Sequence, residues 1–189
     1  MHTETIRMSV YASLMAAFIA VGAYIAIPIG PVPIVLQNLF VLLTGLLLGS
    51  RWGLAAVGLY LLAGACGLPV FAGGQGGIGR LLGPTGGYLL SYLPAVFVIG
   101  RINAIFGKGA FIDVIGMLCA TAITYTCGVS WLKVLTGMTW YKAVAVGMLP
   151  FLIGDALKIA AAVPLAKALR PVMNSEGIRP PAVHKTNQT

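Results

Sequence analysis

The sharpest polar constellation in this chain is Gly154-Asp155-Ala156-Leu157-Lys158. Asp155 and Lys158 are three residues apart, so on a helix they share one face. They lie inside an apolar run, where ionisable groups are costly and turn toward the bundle interior or a wet cavity. One reading is a mutual ion pair that locks helix packing. The stronger reading is a pocket wall offering a polar ligand one acceptor and one donor. Arg80 is the single charge in a glycine-rich loop over 67–87. A solvated surface arginine is the plain alternative. The glycines around it, Gly73 among them, let backbone approach a ligand closely, and an arginine there suits a carboxylate gripped by two hydrogen bonds. Gln37 and Asn38 follow a proline-rich turn and are pocket candidates beside that loop, although such side chains often only bond neighbouring helices. Tyr88 is either an interfacial aromatic or a stacking wall.

The absences narrow the chemistry. There is no phosphate loop, no zinc motif and no nucleophile–base–acid set, so the sequence predicts no enzyme, no cofactor and no metal. His2 and His184 both sit near the termini. Gly73-Gly74-Gln75-Gly76-Gly77 lacks the preceding strand that dinucleotide binding requires. Asp113 stands alone and is read as complementing the dipole of its helix. Cys66, Cys119 and Cys127 fall in apolar segments without metal or disulfide spacing and read as small packing residues.

The elements that position these groups belong to a membrane. Some 59% of residues are apolar and 8% are charged, against about 25% charged in a soluble domain. The expected fold is all-α: one bundle of six transmembrane helices over about 6–27, 34–48, 52–66, 88–105, 110–135 and 149–170, with a polar cytoplasmic tail over 171–189. Prolines at 28, 31 and 33 end the first helix, and Gly49-Ser50-Arg51 ends the second. The 67–87 loop keeps Val70, Phe71, Ile78, Leu81 and Leu82, so it is expected to fold back onto the protein. Trp140-Tyr141-Lys142 reads as an interfacial anchor. The net charge of +8 serves topology rather than nucleic acid. With the amino terminus inside, Arg7, Arg51, Arg101, Lys108, Lys167, Arg170, Arg179 and Lys185 lie in the cytoplasm, and Arg80, Lys133 and Lys142 lie outside. Both termini are then cytoplasmic, and the unusual residues gather at the outer end. Ala12, Ala16 and Ala20 form a smooth stripe that suits either internal packing or a docking face for a partner.

Taken together, Pro31-Val32-Pro33 with Gln37, Gly67-Leu-Pro-Val-Phe-Ala-Gly-Gly74, Pro84-Thr85-Gly86-Gly87-Tyr88, and Pro150-Phe151 with Gly154-Asp155 and Lys158 resemble the BioY family, the biotin-binding S components of energy-coupling factor (ECF) transporters. The resemblance runs from about Ala12 to Leu165. It implies a six-helix fold in the bacterial cytoplasmic membrane that captures biotin at its outer side. It also implies a transmembrane coupling protein and two ATPase subunits as partners, with the Ala12/Ala16/Ala20 stripe similar to the motif that docks on the former. A homo-oligomer is left open. Set against biotin, Asp155 would accept from the ureido N–H groups and Lys158 would donate to a ligand oxygen. Arg80 would hold the carboxylate with support from Gln37, and Val70, Phe71 and Tyr88 would enclose the apolar body. The 67–87 loop is the candidate gate. A sister component for another vitamin, a proton-coupled carrier using Asp155 and a membrane enzyme are the rival readings.

Overall fold

The structure, a computed structural model, describes residues 2–27 and 31–174. The residues between and beyond them include Pro28–Gly30 and most of the expected polar tail, which therefore lie outside the described part. Apolar runs long enough to span a bilayer become helices, because in lipid every backbone N–H and C=O must find its partner within the segment. The helices are α1 (His2–Tyr24), α2 (Gln37–Ala65), α3 (Ile78–Leu82), α4 (Gly86–Phe106), α5 (Ala110–Thr136), α6 (Trp140–Gly147) and α7 (Leu152–Asn174). Five helical stretches among the described residues are long and apolar enough to cross a membrane: Thr3–Tyr24, Gln37–Ala65, Gly86–Phe106, Ala110–Thr136 and Trp140–Met173. Large apolar side chains such as Leu14, Phe18, Leu62, Leu118 and Ile153 stand on their outer surfaces, where lipid takes the place of water.

Four boundaries differ from the sequence reading, each for a local reason. The first helix ends at Tyr24, and Ala26–Ile27 (β1) pairs antiparallel with Ile34–Val35 (β2), Ala26 opposite Val35 and Ile27 opposite Ile34. Pro31 and Pro33 thus lead into the second strand of this pair, and the next helix starts at Gln37 rather than 34. The two helices expected over 34–66 form one helical stretch broken at Gly49, whose φ of 72° and ψ of −171° lie outside the helical region. Glycine takes that conformation without a Cβ penalty, so the chain turns there without a loop. The 67–87 loop contains the short helix α3. Ahead of the last helix, Trp140 opens α6, capped by the Thr139 hydroxyl accepting from the Lys142 N–H at 3.4 Å. A 3-10 turn at Leu149–Phe151 then leads into α7, which continues through Pro171 to Asn174.

α2 and α4 form the centre of the bundle, α1 packs on α2, α5 on α4, and α7 mainly on α2. One apolar cluster surrounds Leu42, Leu46, Ile99, Met117 and Ala162. A second, around Ile19, Val57, Tyr60 and Phe71, sits beneath the long loop. Phe71 is 1% exposed and ties that loop down. It fits because residue 64 is glycine: a Cβ there would stand 2.1 Å from the Phe71 ring. The expectation that this loop folds back onto protein is met.

A buried ion pair closes the opposite end. Arg170 donates from Nη1 to Asp113 Oδ2 at 2.8 Å and from Nη2 to Oδ1 at 2.6 Å, and Asn103 Nδ2 donates to the same carboxylate at 3.1 Å. Asp113 is therefore not the lone helix-start charge that the sequence suggests. It is the bidentate partner of an arginine on the last helix, fifty-seven residues away.

Candidate binding site

Six of the eight candidate ligand residues converge on one cavity. Gln37, Phe71, Arg80, Tyr88, Asp155 and Lys158 line one space, about 600 Å³ with its open, solvent-filled mouth included. Its walls come from the first turns of α2, α4 and α7, the second half of α5, β2 and the long loop. Val70 and Gly73 do not line it. Val70 packs against the apolar cluster beneath the loop. Gly73, with φ of 74°, shapes the turn that lets Phe71 N–H donate to the Gln75 carbonyl at 2.8 Å.

The closed end is polar and internally paired. Lys158 Nζ donates to Asp155 Oδ1 at 2.9 Å, and the Tyr125 hydroxyl donates to Asp155 Oδ2. Asp155 is 5% and Lys158 8% exposed. The two readings opposed in the sequence, ion pair and pocket wall, are thus combined: the pair forms, and both members face the cavity. Each carboxylate oxygen holds one protein donor and keeps a lone pair, and Lys158 keeps N–H donors to spare. Beside them the Tyr92 hydroxyl donates to Asn38 Oδ1 at 2.5 Å. A smaller cavity continues inward past Asn38, Tyr92, Thr124 and Asp155.

Around this polar end the wall is largely apolar. Val32, Val35, Phe71, Leu89 and Phe151 supply aliphatic and aromatic surface. Tyr88 is a buried wall, because its hydroxyl is occupied on the Gly147 carbonyl at 2.7 Å. Gln37 is 1% exposed, and its Nε2, beside the equally unpaired Tyr60 hydroxyl, makes no well-formed hydrogen bond among the described residues. A buried donor left unmade costs about 1–3 kcal/mol, which an acceptor in the cavity would relieve. At the mouth, Arg80 lies on α3, none of whose residues is buried.

Sequence reasoning missed Tyr125 and Tyr92. A tyrosine inside an apolar span still needs a partner for its hydroxyl, and that was the one available signal. The alanine stripe has a different surrounding from a free docking face. Ala12 and Ala16 are buried in the bundle, and Ala20 is partly buried against the cluster under the loop. In this structure the stripe packs internally, the alternative the sequence left open, while Ser13, Leu14, Ala17 and Phe18 point outward.

The sequence model of the BioY family matches residues 1–175. The chain belongs to the BioY family. Relatives of similar length bear this out. A protein of Pyrococcus horikoshii described as a probable biotin transporter BioY is 42% identical over 161 residues, covering 84% of this chain and 94% of its own. The biotin transporter BioY of Thermotoga maritima is 40% identical over 164 residues, covering 87% and 96%. A crystal structure of the S-component for biotin from an ECF-type ABC transporter superposes with a TM-score of 0.83 at 31% identity, covering 90% of this chain and 94% of that one. BioY membership and the apolar helices together make this a multi-pass membrane protein.

Proposed function

We propose that this chain captures biotin at the outer face of the bacterial cytoplasmic membrane, as the substrate-specific component of an ECF-type importer. The observation that carries the reading is the closed end of the cavity, where Asp155, Lys158 and Tyr125 meet inside an apolar wall. Biotin has complementary chemistry: a ureido ring with two N–H donors and one carbonyl acceptor, an apolar bicycle and chain, and a terminal carboxylate. Asp155 accepts from the ureido N–H groups and Lys158 donates to the ureido oxygen. The apolar body lies between Phe71, Tyr88 and Phe151. The carboxylate reaches toward Arg80, and Gln37 Nε2 supplies a further donor. The relatives described as biotin transporters support the same ligand.

Topology supports the outer location. Arg7, Arg51, Arg101, Lys108 and Lys167 flank the end away from the cavity, whereas Arg80, Lys133 and Lys142 flank the cavity end. By the positive-inside rule the cavity faces outward and the amino terminus is cytoplasmic. Counting the two halves of α2 on either side of Gly49 separately gives six spans and a cytoplasmic carboxyl terminus. On the ECF reading, the energy for concentrative uptake comes from a transmembrane coupling protein and two ATPase subunits, and the described residues include no phosphate-binding loop that would supply it from this chain.

The test is biotin titration of the purified chain by calorimetry, without ATP or partners. Tight one-to-one binding is expected, and Asp155→Asn should weaken it at least tenfold, because the charged acceptor becomes neutral and the new NH2 group faces a donor, Lys158 or Tyr125, in place of a carboxylate oxygen. Unchanged affinity in a folded Asp155→Asn protein would reject the role given to Asp155.

A further inference from the structure

The cavity is unequal in burial from one end to the other, and that inequality bears on which forms of its ligand it accepts. At the closed end Asp155, Lys158, Tyr125 and Tyr92 are buried. Asp155 is held there by Lys158 and Tyr125, and Tyr92 by Asn38. At the mouth Arg80 is half-buried on a helix with no buried residue. Its guanidinium has no hydrogen-bond or ion-pair partner among the described residues. On the neighbouring Gly79, a side chain would meet nothing beyond its own helix and chain neighbours within 4 Å, so α3 keeps an open face.

Resting on the biotin reading above, we propose that this chain selects its ligand at the ureido end alone, and that it captures biotin whose carboxyl is an amide as readily as the free acid. The ligand class includes biotinamide and biotinyl-lysine, the amide left when a biotinylated protein is degraded. An arginine in partial contact with water gains little from a carboxylate, since water competes and salt screens. Its five N–H donors serve an amide carbonyl as well. A chain attached to that amide leaves through the open mouth past Arg80, where its polar groups stay in contact with water. The ureido end has no such tolerance. A substituent on a ureido nitrogen would push Tyr125 or Lys158 off Asp155 and leave a carboxylate buried without its partners.

Calorimetry on the full chain in detergent tests this with four probes: biotin, biotinamide, biotinyl-lysine and biotin carrying a methoxycarbonyl group on a ureido nitrogen. Biotinamide and biotinyl-lysine are expected to bind within about tenfold of biotin, and the ureido-blocked form not measurably. Arg80→Ala is expected to weaken biotin by less than tenfold. If biotin binds but both amides bind more than tenfold more weakly, the mouth reads the carboxylate and the inference is wrong, while the biotin reading stands. If the ureido-blocked form binds like biotin, the selectivity is not at that end. If biotin itself does not bind, both readings fall together.

Discussion

Asp155 has two carboxylate oxygens and two protein donors, Lys158 and Tyr125. The donors differ in what their loss leaves behind. Tyr125→Phe removes a neutral hydroxyl but keeps the ring, and Asp155 keeps its counter-charge. A hydrogen bond to a charged group is worth about 1.5–3 kcal/mol to the fold, so the apoprotein should lose stability of about that order and biotin affinity should fall as Asp155 loses one of the two bonds that orient it. Lys158→Met leaves the carboxylate buried without a cation, a change that costs about 3–5 kcal/mol in buried pairs. It should abolish measurable binding or lower the thermal stability of the apoprotein. Equal affinities of both variants and the parent would show that the ligand does not use this end. Asp155, Lys158, Arg80 and Gln37 were legible in the sequence because a charge or an amide stands out in an apolar run. Tyr125 and Tyr92 were not, since a tyrosine in a span reads equally as packing and their partners lie 30 and 54 residues away.

At the scale of elements, α7 is the helix whose position decides the site. It carries Asp155 and Lys158 near one end and Arg170 fifteen positions on, about 22 Å along the axis. It packs mainly on α2 and only lightly on α5. The α5–α7 seam is therefore bridged by polar contacts at its two ends, Tyr125 to Asp155 and Arg170 to Asp113. Arg170→Ala should destabilise the protein by about 3–5 kcal/mol, because Asp113 would remain buried with only Asn103 as donor. Denaturant unfolding in detergent measures this, and a variant as stable as the parent would make the pair dispensable. Exchanging the charges, Asp113→Arg with Arg170→Asp, should recover part of the loss that either single reversal causes. The long apolar runs made the spans readable, and Gly49-Ser50-Arg51 marked the turn within α2. The two-residue hairpin, α3 and α6 were not readable. α3 is flanked by bonds to the distant Gly64 and Trp131, α6 ends where the Tyr88 hydroxyl bonds the Gly147 carbonyl, and the hairpin rests on strand pairing, none of which local periodicity shows.

At the scale of the molecule, the two ends are built differently. The end away from the cavity is closed by a bidentate ion pair and by backbone packed tightly enough that a Cβ on Gly100 would stand 2.0 Å from the Ser50 nitrogen. The cavity end is covered by the 67–87 loop, which Phe71 and a few separate hydrogen bonds fasten to the bundle. The Trp131 indole donates to the Gly83 carbonyl at 2.9 Å, the Tyr24 hydroxyl to the Pro69 carbonyl, and Gly77 N–H to the Gly64 carbonyl at 2.7 Å. Segments held by few contacts open at lower free energy than the core. A ligand bridging α7 and the loop adds fastenings only at the cavity end. Biotin should therefore slow amide hydrogen exchange over 67–85 strongly, while exchange around Asn103 and Asp113 stays nearly unchanged. Trp131→Phe, which frees the Gly83 carbonyl, should raise the biotin dissociation rate more than the association rate, as expected of a loop that closes over the ligand after it enters. Stopped-flow fluorescence resolves the two rates. Protection spread evenly over both ends would mean that ligand binding stiffens the whole bundle, and would reject the expectation that the loop is a gate.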